Sequence, residues 1–160
     1  MNKVLNTLIG LLFLVSCGVS KDTDAVIENV QETVKSISFE LVGKGNLGGA
    51  GEEGIFESNV IVQTRAEWDA LISKMDATNI ESKHFEIQDI DFGSSTVLAC
   101  FDKVQGTGGH SIKIYEIIEG HQELSVHIKK SAPNEMATSV MTQPYYIVVI
   151  DKTTKKIVFN

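Results

Sequence analysis

TVLACF (96–101), KVQGTGGHSIKI (103–114) and TQPYYIVVI (142–150) are the stretches that decide the fold of this chain. The apolar runs at 97–101 and 145–150 are short and rich in β-branched and aromatic residues, which selects core strands over helices. They suit the middle of a sheet. Between them lies an alternating pair: Ile112 and Ile114 alternate with Ser111, Lys113 and Tyr115, and Leu124, Val126 and Ile128 alternate with Ser125, His127 and Lys129. A two-residue turn at Gly120-His121 would set Ile114 against His127 and mix the two faces. Pairing Ile114 with Val126 and Ile112 with Ile128 keeps the apolar set together, and implies a three-residue loop, Glu119-Gly120-His121, or a bulge. The odd loop is the preferred reading, with Lys113 near His127 on the solvent side. GTGGH (106–110) and SAPNEMATSVMTQP (131–144) then leave the strands at neighbouring corners, where function is expected.

Working outward to the N-terminal side, Ile37, Phe39 and Leu41 alternate with polar neighbours as in a half-buried strand. GKGNLGGAGEEG (43–54) holds six glycines in twelve residues. It lacks the GKS or GKT ending of a phosphate cradle and reads as a long hairpin loop, with 55–63 returning as the second strand. Thr64 with Glu67 forms a capping box, and Trp68, Leu71, Ile72 and Met75 follow at helical spacing. That stripe is a core-covering face for one helix over 65–75. Residues 76–92 read as a connection with a short strand near 85–90, then a turn at DIDF and GSS. Asp89 and Asp91 lack the full calcium-loop pattern.

The chain has 160 residues, 42% of them hydrophobic, with a formal net charge of -7. One globular domain is expected. The charge disfavours nucleic acid, which is bound through Lys and Arg contacts to phosphate. Residues 1–16 carry Lys3 and then an apolar stretch, Leu8 to Val15, shorter than the ~20 residues that span a bilayer. Leu14, Val15, Ser16 and Cys17 resemble a bacterial lipobox, which implies cleavage before Cys17, acylation of its thiol and a stable membrane anchor. Residues 17–34 are polar and acidic and read as a tether, with Val26, Ile27, Val30 and Val34 near helical spacing. Gly18 after the cysteine resembles outer-membrane sorting, and SKDTD (20–24) resembles surface-export tethers.

Catalytic patterns are not found. With Cys17 lipidated, Cys100 has no disulfide partner and reads as a small buried hydrophobe within an apolar run. His84, His110, His121 and His127 show no HxH, HxxxH or HExxH spacing, so no metal is expected. There is no GxSxG elbow. No cofactor and no small-molecule substrate are expected, and the reading is a non-enzyme.

GTGGHSIKI (106–114), the strand LSVHIKK (124–130), Pro133 and TQPYYIVVI (142–150) together resemble the C-terminal domain of the PrcB family, lipoprotein subunits of a bacterial surface protease complex. In that family TGGY precedes an alternating strand, and a QPY box precedes a final apolar strand. Two positions depart from the pattern: His110 stands for the usual tyrosine, and Gly106 for the usual proline. The resemblance implies a non-catalytic domain that binds or stabilises a protein partner, a protease among the candidates. Thr107, Gly108, Gly109, His110, Gln143, Pro144, Tyr145 and Tyr146 would form the recognition rim. A second reading stands beside it, in which the glycines merely make a turn and the tyrosines fill the core. The same two boxes also resemble the TTG turn and RPW box of chagasin-like cysteine-protease inhibitors, without the arginine and tryptophan. That resemblance implies a plug for a protease active site.

The expected architecture is mainly β, α+β at the margin: an antiparallel sandwich or strongly curved sheet of about seven strands with one packed helix. The expected organisation is a signal peptide (1–16), a lipidated tether (17–34) and one β-rich domain (35–160) whose PrcB-like core is 96–150. The expected location is the cell envelope, at the outer membrane, facing the periplasm or the surface.

Overall fold

A computed structural model describes residues 34–134 and 136–160. The signal-peptide, lipidation and tether expectations fall on residues outside this range, apart from Val34 at its edge. The elements are β1 (Lys35–Ser36), β2 (Glu40–Leu47), β3 (Ser58–Val62), α1 (Arg65–Met75), β4 (Ser95–Phe101), β5 (Ser111–Glu119), β6 (Glu123–Ser131), β7 (Gln143–Asp151) and β8 (Lys156–Phe159). Two four-stranded sheets stack, one in the order β2-β7-β4-β3 and the other β1-β5-β6-β8. The fold is a β-sandwich, with eight strands among the described residues.

β4 and β7 read as unbroken apolar runs because both of their faces are covered. Val97, Ala99, Phe101, Tyr145 and Ile147 pack toward α1 in one cluster with Trp68, Leu71 and Met75. Leu98, Cys100, Val148 and Ile150 turn the other way and meet Ile112, Ile114, Ile117, Leu124 and Val126 of the second sheet. The alternating strands β5 and β6 bury only that one face, so they carry period 2. Burying each large aliphatic side chain contributes about 1.5–3 kcal/mol, and β4 and β7 contribute to both buried clusters.

The helix forms as its sequence dictates. Thr64 Oγ1 accepts from the Glu67 amide at 3.2 Å, and Glu67 Oε2 accepts from the Thr64 amide at 3.1 Å. Trp68, Leu71 and Met75 are buried, and Ile72 lies at the margin of the same cluster.

Three expectations are corrected. Residues 43–47 belong to β2, which pairs with β7, whereas β3 pairs with β4, so β2 and β3 are opposite edges of one sheet and not a hairpin. Glycine there serves close packing: a Cβ on Gly43 would stand 2.5 Å from the Phe85 ring. No strand forms at 85–90; Ser82–His84 makes a single 3-10 turn, and Phe85 and Ile90 are buried against the α1 side. In the β5–β6 hairpin, Ile114 pairs with Ile128, Ile112 with Lys130 and Ile117 with Val126, with a bulge between Ile114 and Glu116. The inward residues Ile112, Ile114 and Ile117 have mixed parity, and an extra residue is what puts all three on one face. His127 consequently sits opposite Glu116, and Lys113 opposite Lys129.

Candidate functional site

Antiparallel pairing sends three loops out of one end of the sandwich. Phe101 at the end of β4 pairs with Ser58 at the start of β3 and with Tyr145 near the start of β7, while Ser111 pairs with Ser131 across the other sheet. The loops at 48–57, 102–110 and 132–142 therefore share a pole.

The glycine turn and the proline box are neighbours there. Gln105 and Thr142 exchange backbone hydrogen bonds of 2.7 and 3.0 Å, Thr142 Oγ1 donates to the Thr107 carbonyl at 3.1 Å, and the Gly108 amide donates to the Thr138 carbonyl at 3.0 Å. Gly108 is buried, and a Cβ on it would stand 2.7 Å from Thr138 Oγ1. Gly109 has φ 84, in the left-handed region that glycine adopts without penalty, and rests on Pro133. His110 and Thr107 are half-buried and share a 3.1 Å contact between Nε2 and Oγ1.

The second box is interior. Gln143 has no exposed surface, and its Nε2 donates to the carbonyls of Ile55 and Asp102 at 2.7 and 2.9 Å. Pro144 is buried. Tyr145 is 2% exposed, its ring 6.4 Å from those of both Phe85 and Phe101, its hydroxyl 3.3 Å from Glu81 Oε2. Burial, then the Glu81 carboxylate, raises its phenol well above the usual range. Tyr146 is half-buried against the inter-sheet cluster. The reason is pairing: Gln143 and Pro144 are in register with β2, and from Tyr145 on β7 also has β4 on its other side, so Gln143 and Tyr145 project toward the helix layer and Pro144 and Tyr146 toward the second sheet. For Tyr145 the core-filling reading describes the structure, while Tyr146 keeps part of its surface open.

The exposed apolar groups at this pole are others. Phe56 is 85% exposed, Met136 103%, Val140 49% and Met141 51%. The sequence hides them: Phe56 reads as part of the strand expected at 55–63, whereas β3 begins only at Ser58, and Met136, Val140 and Met141 stand without a period in the polar 131–144 segment. Phe56 also borders a cavity of about 530 Å³ lined by Ile55, Val60, Ile61, Leu71 and Phe101.

Beside these groups lies an ionic cluster. Lys130 reaches Asp102 at 2.7 Å and also bonds Glu57, while Gln105 Nε2 donates to Asp102 at 2.8 Å. Burial by itself would raise the Asp102 carboxyl; the bonds from Lys130 and Gln105 outweigh it and hold it below the usual carboxylate range. A polar cavity of about 410 Å³ opens here, lined also by Lys103 and His110. Among the described residues no three His, Cys, Asp or Glu side chains gather into a metal ligand set. Burial pushes the Cys100 thiol up to about 12, so it is unsuited to nucleophilic chemistry.

Residues 96–151, spanning β4 through β7, match the family model described as PrcB C-terminal. The likeness read from the TGG and QPY boxes holds over that segment; the chagasin-like likeness has no such support. No curated protein and no solved structure matches the chain.

Proposed function

With residues 96–151 taken as a PrcB C-terminal segment, we propose that this chain is a non-catalytic binding domain that docks a protein partner at the three-loop pole, the partner being a cell-envelope protease or a component of its complex. The observation that carries the reading is the clustering of Phe56, Met136, Val140 and Met141 on loops that share this pole with the glycine turn. Apolar side chains held out on braced loops are the usual anchors of protein recognition. Gly108 and Gly109 support the binding surface by letting the 102–110 loop lie against the 132–142 loop. Gln143, Pro144 and Tyr145 act from inside, holding the bases of the loops.

Acylation of Cys17 is the second part of the proposal, supported by the lipobox-like residues Leu14 to Cys17 behind an apolar stretch. It would place the domain at the envelope membrane, with the outer membrane favoured by Gly18.

Crosslinking in cells followed by purification tests the docking. A consistent partner, a protease or its subunit, is expected with the native chain and lost when Phe56, Met136, Val140 and Met141 are all changed to Ser. Recovery of no consistent partner, or equal recovery by the quadruple variant, overturns the proposal. Peptide hydrolysis by the recovered protease is expected to continue with the domain bound; inhibition would make the domain a plug. For the anchor, metabolic labelling with an alkyne fatty acid is expected to mark the native chain and not Cys17→Ala.

A further inference from the structure

Four strands form the outer edges of the two sheets, β2 and β3 in one and β1 and β8 in the other. A free strand edge is a template for pairing with another chain, and proteins blunt it with charge, proline or a bulge. β1 carries Lys35, β8 carries Lys156, and β2 carries Glu40, Lys44 and a bulge at Val42. β3 has none of these. Its residues, Ser58 to Val62, are uncharged and end in three β-branched side chains, and their register with β4 runs without a shift. Among the described residues no strand lies beside the other edge of β3, and Ile61 is 37% exposed.

That edge is also grooved. The cavity of about 530 Å³ beside Phe56 lies between β3 and a stripe of α1, Glu67, Ala70, Leu71 and Lys74, whose spacing puts them along one side of the helix. Only Gln63 and Thr64 join β3 to α1, so the helix doubles back along the strand. Glu67 is fixed at the Val62 end, its Oε2 taking the Gln63 and Thr64 amides, and Lys74 stands about two turns further on. The stripe is thus acidic at one end and basic at the other, with the small Ala70 between. Such a surface complements a copy of itself turned about a twofold axis.

We infer that two copies of this chain associate through β3, joining their β2-β7-β4-β3 sheets edge to edge into one continuous sheet. Antiparallel pairing of β3 with β3 also sets the two helices antiparallel, which carries Glu67 of each copy toward Lys74 of the other. A register centred on Val60 or on Ile61 keeps Val60 and Val62 on the helix side in both copies. The seam gives partners to the outward N–H and C=O groups of the strand. A second copy is favoured over an unrelated strand because it brings the matching helix with it. Self-association and partner capture are separate measurements, so this interface and the docking at the loop pole fail independently.

The test uses the full chain in mild detergent, with mass read by light scattering over a concentration series. A dimer with a dissociation constant on the order of 1–10 μM is expected, and hydrogen exchange at the 58–62 amides is expected to slow as concentration rises. Asn59→Lys, at an exposed position, sets like charges along the seam, and Lys74→Glu sets Glu67 against a second carboxylate. Each is expected to keep the native far-UV circular dichroism and to weaken the dimer at least about tenfold. A chain that stays monomeric at about 100 μM overturns the inference. So does a dimer whose 58–62 amides exchange at an unchanged rate, or one that both variants leave intact. If a variant fails to fold, exchange in the native chain decides.

Discussion

The Lys130 ammonium stands 2.7 Å from the Asp102 carboxylate, joining β6 of one sheet to the residue that follows β4 of the other. Asp102 is only 5% exposed at its side chain, while Lys130 is 45% exposed, so the interaction is uneven: removing the lysine strands a buried charge, whereas the lysine itself can turn to water. Lys130→Met is expected to destabilise by about 1–3 kcal/mol, measured by urea denaturation at pH 7. Lys130→Met with Asp102→Asn is expected to recover part of that loss.

The same carboxyl sets a pH dependence. Its folded pKa lies below the unfolded value of about 4, so the stability it contributes is present above pH ~4 and is lost as pH falls through the folded value. The urea midpoint of the native chain is expected to drop as pH falls from about 5 to 3, and the Asp102→Asn chain to drop less. Equal slopes would show that other carboxylates govern acid unfolding.

Gly43→Ala tests why β2 carries glycine. The added methyl would meet Phe85 at 2.5 Å, with Trp68 packed behind that ring at 5.9 Å. Overpacking of this kind costs about 1–3 kcal/mol. Pairing it with Phe85→Leu, which opens room, is expected to give a non-additive double-mutant cycle.

Tyr145 separates core from contact surface. Tyr145→Phe gives up one 3.3 Å hydrogen bond to Glu81 and is expected to cost no more than about 1 kcal/mol, with partner capture unchanged. Tyr145→Ala leaves a cavity among Phe85 and Phe101 and is expected to cost about 3–5 kcal/mol. A Tyr145→Phe chain of full stability that no longer captures its partner would return this residue to the binding surface.

Cys100 is expected to resist alkylation at pH 8 in the folded chain and to react at once in denaturant, followed by peptide mass spectrometry. Fast labelling of the folded chain would contradict both its burial and its raised pKa.

The central strands were legible because two-sided burial writes itself as an unbroken apolar run, and α1 because Thr64, Glu67 and the Trp68 stripe agree on one boundary. The pairing of β2 and β3 was not. Sequence neighbours make hairpins by default, and nothing local announces that Leu41 and Gly43 will pair with β7 while Val42 is skipped between them. The register of β5 was written in the odd step from Ile114 to Ile117, which the alternation around Ile112 and Ile114 obscured. At the pole, glycine and proline marked where the loops meet, and aromatic identity misled: Tyr145 is large and follows a proline, yet strand pairing on both sides decides its environment. Exposure of Met136 or Phe56 depends on the absence of neighbours, which no local pattern encodes.

The passage from β1 to β2 has a mechanical meaning. Lys35 and Ser36 pair with β5, and from Glu40 the same strand direction continues against β7 in the other sheet. Tension entering from the N-terminal side would meet a two-rung seam first and an eight-residue strand second. Peeling the first seam frees about five residues, ~3.4 Å each when drawn straight, before the β2–β7 ladder is loaded. The domain thus carries a short extensible leash of its own, one whose release strips Ile37 and Phe39 from the edge of the inter-sheet cluster before β2 is loaded.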